Sequence, residues 1–171
     1  MVPVNSSISC CVIKRVTDST IEPKTIFSSQ IPTHLVCKEA KLNGAILRRA
    51  DLKGSDLSEA DLSIADLTGA SLIDVTLVGA NLERIKLNQA KLLGAHLSGA
   101  KINKGKLTQV DLSNADLSGA NMRGTDLTES NLEGCDLSRA DLTEAILQRA
   151  NMKKAFLIGA NLQKAELSEV N

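Results

Sequence analysis

Tryptophan and tyrosine are absent from this chain, and phenylalanine occurs only at Phe27 and Phe156. A core of ordinary composition draws much of its buried area from aromatic rings. In a chain of 171 residues the interior must here be filled by small and medium aliphatic side chains. Net charge is missing too: 20 Lys and Arg balance 20 Asp and Glu, which removes whole-molecule attraction as an argument for nucleic-acid or membrane binding. No apolar run approaches the roughly 18 residues of a membrane-spanning helix. The N-terminus lacks a basic start followed by an apolar stretch, so a secretory signal is not expected.

The cysteines, Cys10, Cys11, Cys37 and Cys135, form no CxxC pair and no Cys/His cluster, so a zinc site has no framework. Reduced thiols in a cytoplasmic compartment are expected. The Ser- and Thr-rich residues 1–36 supply the alternative, an organelle or lumenal location after removal of an N-terminal segment. Phosphate-loop, dinucleotide-fold and nucleophile-elbow motifs are all absent. The expectation is a non-enzyme with neither metal nor cofactor.

What is present is a repeat. From Leu42 to Leu167 every fifth residue is Leu, with Ile102, Met122 and Met152 the only exceptions, in 26 units without insertion or deletion. Two residues before each stands a small side chain, usually Ala, with Val75, Ile85, Val110, Thr125 and Cys135 as larger or polar intruders. Between them lies a polar position, often Asp or Asn. A helix would carry a period of five around its whole surface, and a long strand needs an unbroken period of two. A two-step from Ala to Leu puts both side chains on one face of an extended segment. The three-step to the next Ala then demands a bend.

The glycines locate that bend. Ten of the 11 fall two residues after the central Leu, from Gly44 to Gly159, where tight turns and positive φ are needed. Ser or Thr often precedes this position, as at Ser58, Thr68 and Ser113. Each unit is thus a short extended side plus a corner, and the chain coils. Stacked coils pair their backbones as a sheet does, and a single coil is not stable without its neighbours.

The stretches Ala60-Asp-Leu-Ser-Ile64, Ala115-Asp-Leu-Ser-Gly119, Ala120-Asn-Met-Arg-Gly124 and Ala140-Asp-Leu-Thr-Glu144 resemble the A(D/N)LXX unit of the pentapeptide-repeat family. The resemblance covers about three quarters of the chain. It implies an all-β fold: a right-handed quadrilateral β-helix, a solenoid of four units per coil and about 6.5 coils, each rising ~4.8 Å. The expected division is an irregular N-terminal capping segment, 1–40, followed by the β-helix, 41–171. Leu35 and Cys37 already sit in inward registers, so a degenerate unit is expected ahead of Lys41. The apolar Cys10-Cys11-Val12-Ile13 run and Phe27 are expected to cover the first coil. At the other end three arrangements stay open. The last coil is exposed and guarded by Lys153, Lys154, Lys164 and Glu169, or it meets another subunit as an end-to-end homodimer, or the chain continues in a longer protein.

On the 20-residue coil that the resemblance implies, outward residues stack in ladders. One is Asp56, Thr76, His96, Asp116, Asp136, Phe156. His96 beside Asp116, with Thr76 as nucleophile, has the elements of a hydrolytic site, but a flat convex face offers no pocket to exclude water, and a solvated polar ladder is the expectation. His34 is expected at the surface or in a cap, and Cys135 as a buried, inert thiol. Val75, Ile85 and Val110 are expected to enlarge the core locally. Ile146, Phe156 and Ile158 make the last coils more apolar outside, as scattered side chains or as a docking patch.

Charge is banded. Residues 51–74 and 111–144 are acidic. Between them Arg84, Lys86, Lys91, Lys101, Lys104 and Lys106 form a basic belt, with no acid between residues 84 and 106. Pairing between coils, such as Asp66–Lys86 and Lys106–Asp126, is the plain expectation. The sharper one is a partner held on the belt. Nucleic acid fits poorly, because stacking aromatics are absent. Some proteins of the resembled family protect DNA gyrase by imitating duplex DNA. That implies a strongly acidic rod, and here the belt and the central Leu depart from it. The expected function is a structural or protein-interaction module. Its candidate surface comprises the six belt residues with Ile146, Phe156 and Ile158. Gyrase protection by DNA mimicry is the first alternative, and an enzyme or small-molecule binder the second.

Overall fold

A computed structural model describes residues 34–171. The expected N-terminal cover from Cys10 to Ile13 and Phe27 lies outside the described residues. From Val36 onward each unit contributes one parallel β-bridge to the residue twenty positions on, from Val36↔Asp56 through Lys41↔Asp61 to Ile146↔Glu166. Four five-residue units therefore complete one coil. Leu35 and Cys37 are already buried, as a degenerate unit ahead of Lys41 should have them.

Within a unit the backbone groups are used in a fixed order. Leu42 N–H donates to Asp61 O (2.7 Å) and Gly44 N–H to Ser63 O (2.9 Å) of the next coil. Asp61 N–H donates back to Ala40 O (2.9 Å), and Ala45 N–H closes the turn onto Leu42 O (3.0 Å). The second corner residue has positive φ in every described unit: ten are Gly, and eighteen others run from His34 (58°) to Glu169 (57°). One positive φ, at the third residue of a four-residue hydrogen-bonded turn, is the type II pattern. The left-handed region disfavours side-chain-bearing residues by about 1–2 kcal/mol each. Even the β-branched Ile64 (54°) is held there, so stacking between coils outweighs local preference.

The inward registers form one continuous core, from Leu35 and Cys37 to Leu147 and Ala150. Each enclosed Leu contributes ~1.5–3 kcal/mol of burial. In the last coil Met152, Leu162, Ala165 and Val170 are only partly buried, and Leu157 and Leu167 are exposed.

The core variations compensate one another. Ile85, Gly105 and Thr125 stack in one inward column, so the enlarged residue is followed by the one Gly outside the corner register. A Cβ on Gly105 would lie 2.8 Å from Leu107 Cδ1 and 2.9 Å from Ile102 O. Gly105 thus makes room for the β-branched Ile102. Two polar intruders find partners, while Ser130 Oγ is buried with none among the described residues. Thr125 Oγ1 donates to Ile102 O (3.0 Å), and Ser55 Oγ accepts from Leu35 N–H (3.1 Å).

Four outward ladders follow from the twenty-residue register. The first face carries Lys41, Asp61, Asn81, Lys101, Asn121, Asp141 and Asn161; the second carries Ile46, Asp66, Lys86, Lys106, Asp126, Ile146 and Glu166. The third carries Asp51, Ser71, Lys91, Asp111, Asn131 and Asn151, and the fourth Val36, Asp56, Thr76, His96, Asp116, Asp136 and Phe156.

Candidate interaction surface

The outward positions divide by what their side chains do to their own corner. Among the described residues, the first corner residue of each unit has no main-chain acceptor for its N–H. An Asp or Asn two residues earlier can supply one, because its side-chain oxygen reaches back to the backbone as an Asx turn. This happens at every Asp and Asn in the outward position of the acidic bands, though not at Ser71. Asp56 Oδ1 accepts from Ser58 N–H (3.1 Å), Asn81 Oδ1 from Glu83 N–H (3.2 Å), Asp116 Oδ1 from Ser118 N–H (2.9 Å) and Asn121 Oδ1 from Arg123 N–H (3.2 Å). Hydroxyls at the same corner add a second donor, as Ser113 Oγ does to Asp111 (2.7 Å) and Thr128 Oγ1 to Asp126 (2.7 Å). Asn side chains also link coils along a ladder, as Asn131 Nδ2 does to Asp111 (3.1 Å).

These bonds hold several carboxyls below the ordinary aspartate value. For Asp136 and Asp141 the leading cause is the hydroxyl donor, Ser138 and Thr143 respectively. For Asp66 burial pushes upward, but hydrogen bonds from Thr68 and Arg48 outweigh it and the net shift is downward.

Charge pairs between coils do form, as Arg149–Glu169 (2.9 Å), Lys154–Glu133 and Lys164–Glu144 (both 3.6 Å) show, but not at the two ladder positions expected. Asp66 and Lys86 are bridge neighbours, as are Lys106 and Asp126, yet neither pair is a salt bridge. Asp66 meets Arg48 at 2.8 Å instead, and Asp126 is turned back onto Thr128. The physical reason is local competition: at these two aspartates the corner hydroxyl and N–H, and at Asp66 also Arg48, take the carboxylate oxygens ahead of the ladder lysine. Cations that do pair with these aspartates approach from the corner of the preceding coil, as Lys38 does to Asp56 and Arg123 to Asp141, both at 3.3 Å.

In the belt the outward position carries Lys86, Lys91, His96, Lys101 and Lys106, and none of these caps its corner. Thr108 N–H is taken by Asn88 from the coil before (3.3 Å). The N–H groups of Asn88, Leu93, Ser98 and Asn103 have no acceptor among the described residues. Arg84, Lys86, Lys91, Lys101, Lys104 and Lys106 are all exposed, and none forms an ion pair with another described residue. The register gathers five of the six. Lys101 stands on the first face, Arg84 and Lys104 on the corner after it, Lys86 and Lys106 on the second face. Lys91 is on the third. Glu83, exposed on the same corner, is the acid nearest in sequence to that edge.

A profile of pentapeptide repeats matches residues 36–72, 65–103, 95–134, 106–143 and 135–171, with 8 copies. The chain belongs to the pentapeptide repeat family. The right-handed quadrilateral β-helix of that family is the architecture this membership implies. Among solved pentapeptide repeat structures, HetL of the cyanobacterium Nostoc sp. strain PCC 7120, involved in heterocyst differentiation regulation, is 33% identical, with 80% of this chain and 74% of HetL covered and a TM-score of 0.40. AT2G44920 of the Arabidopsis thaliana thylakoid lumen is 36% identical over 64% of this chain and 68% of its own, with a TM-score of 0.26. QnrB1, a plasmid-mediated fluoroquinolone resistance protein, is 19% identical over 81% of each chain, with a TM-score of 0.47. No curated protein matches significantly.

The apolar candidates separate on the pentapeptide coil. Phe156 (57% exposed) lies on the fourth face and Ile158 (76% exposed) at the corner after it, beside a shallow depression lined by Ser118, Gly119, Ser138 and Arg139. Ile146 is half-buried on the second face, two units away and on the opposite side. His96 bridges Thr76 and Asp116 on an open face. Among the described residues no group of three or more His, Cys, Asp or Glu is placed to hold a metal ion. Cys135 is fully buried, donates to Leu112 O (2.7 Å) and has its thiol pushed up to about 12, chiefly by burial. No described helix is long and apolar enough to cross a membrane.

Proposed function

We propose that this pentapeptide repeat chain is a non-enzymatic interaction module, a rod of about 6.5 coils in a cytoplasmic setting, that holds a protein partner on its basic belt. The observation that carries this reading is the contrast in side-chain use. Acidic and amide side chains of the ladder bind their own corners, while Arg84, Lys86, Lys91, Lys101, Lys104 and Lys106 are exposed and form no ion pair with another described residue. Six like charges with no ion pair among the described residues repel one another across neighbouring coils. A ligand of opposite charge would give them a role and steer its own approach. Phe156 and Ile158 supply a second, apolar contact on a different side. Self-association in this reading is end to end, through the coil where Leu157 and Leu167 are exposed, and sedimentation velocity distinguishes one copy from two.

The test is affinity capture with the wild-type rod and with a charge-reversed belt, Lys86→Glu, Lys101→Glu and Lys104→Glu together. Proteins retained by the first and lost by the second support the reading. Equal recovery by both contradicts it. Recovery of gyrase subunits by both rods assigns the chain to DNA mimicry through its acidic bands instead.

A further inference from the structure

On the first face two positions lack the cap, Lys41 at its start and Lys101 within the series. Asp61, Asn81, Asn121, Asp141 and Asn161 each accept the N–H of the corner residue two places on, at 3.0 to 3.2 Å. Between Asn81 and Asn121 stands Lys101, and the N–H of Asn103 has no acceptor among the described residues. The same substitution places an ammonium where its neighbours hold a carboxylate or an amide oxygen. The corner is further surrounded by Lys104 and Arg84, with Lys86 and Lys106 on the adjoining face. An acceptor has been removed, a donor opened, and up to five positive charges set around it.

We propose that this edge is a receptor for an Asp-rich segment of a protein partner. It rests on the belt reading above and specifies its chemistry. A carboxylate of the partner accepts the Asn103 N–H, as Asn81 and Asn121 accept at the corresponding corners of the coils on either side. Lys101, Lys104 and Lys106 neutralise that carboxylate and its neighbours in sequence. A carboxylate suits this role because the chain itself makes the bond many times over, in one geometry, at the same kind of corner. Charge-assisted hydrogen bonds of this type are the stronger class. A nucleic acid would meet the same cations but no aromatic side chain on which to stack its bases.

Two neutral substitutions separate the open N–H from the charge. Lys101→Asn removes one cation and restores the cap seen at Asn81 and Asn121. Lys101→Gln removes the same cation with a side chain one methylene longer than the capping geometry uses. The probe is a short fluorescent Asp-rich peptide titrated into the full chain at low salt, with a duplex oligonucleotide and inorganic phosphate in parallel. The expected result is that wild type binds the peptide, Lys101→Gln weakens it modestly, and Lys101→Asn weakens it about five-fold more than Gln. Lys101→Asn should also raise the melting temperature relative to Lys101→Gln, which reports the restored cap independently of binding. Equal loss in the two variants overturns the N–H receptor and leaves the belt reading standing. Peptide binding unchanged by Lys86→Glu, Lys104→Glu and Lys106→Glu together overturns both. No peptide binding by wild type, or tighter binding of duplex or phosphate than of peptide, overturns the receptor's assignment to a protein segment.

Discussion

The basic belt and the acidic coils on either side of it share one interior and differ in one exterior position. Leu87, Leu92 and Leu97 in the belt are as fully buried as Leu112, Leu117 and Leu127 outside it, and the coil-to-coil hydrogen bonds run through both without a break. In the acidic coils the Asp or Asn between the two inward positions is spent on its own corner, and only Ser71 is not. In the belt it projects into solvent and the corner N–H stays open. The inward positions specify the coil, and the outward one is left to stabilise a turn or to meet a partner. Doing the second forfeits the first.

The comparison can be broken or sharpened in several ways. The largest effect comes from the interior, where belt and acidic coils should behave alike. Leu97→Asp and Leu117→Asp each bury a carboxylate among aliphatic side chains and should lower stability by more than about 4 kcal/mol, with loss of the cooperative melt. A soluble Leu97→Asp chain with unchanged melting would contradict the inward assignment. Next is Gly105→Ala, whose Cβ would press on Leu107 Cδ1 and Ile102 O. It should destabilise by ~1–3 kcal/mol, whereas Ala→Gly at Ala115, in the acidic part, leaves room rather than filling it. Pairing Gly105→Ala with Ile102→Leu should recover part of the loss.

Acid separates the two regions further. Asp56, Asp66, Asp136 and Asp141 all have folded-state values lowered from 3.8. A carboxyl depressed on folding contributes stability that is present above its unfolded value and lost as pH falls through the folded one. Melting temperature should therefore hold from neutral pH down to about pH 5 and fall below about pH 4. The smallest effect is on a single cap. Asn121→Ala should cost about 0.5–1.5 kcal/mol. Lys101→Ala, on the same ladder without a cap, should leave thermal stability unchanged within error.

Much of this was legible in the sequence because the inward registers are nearly invariant. Leu42 to Leu167 at steps of five, with Ala two places before, already fixed which side chains meet, and the glycine register located every corner. Glycine understated the turns, since residues as unsuited as Ile64 and Asp74 adopt the same positive φ. The Asx caps could have been found, because Asp-Leu-Ser and Asp-Leu-Thr carry the two-residue spacing of an Asx turn. The expectation of Asp66–Lys86 pairing failed because proximity along a ladder does not say which donor reaches a carboxylate first. Ile146 and Phe156 are near in sequence but two corners apart, which a linear reading does not convey. Gly105 stood out only as the glycine out of register. Its reason needed the stack with Ile85 and the contact with Ile102.

Residue-resolved amide hydrogen exchange tests the division between capped and open corners most directly. The N–H groups of Ser113, Ser118 and Arg123 should exchange slowly, and those of Leu93, Ser98 and Asn103 rapidly, while Leu92 and Gly94 in the same belt coil remain protected. Uniform protection at all corners, or fast exchange of Leu92 and Gly94 along with Leu93, would contradict the account.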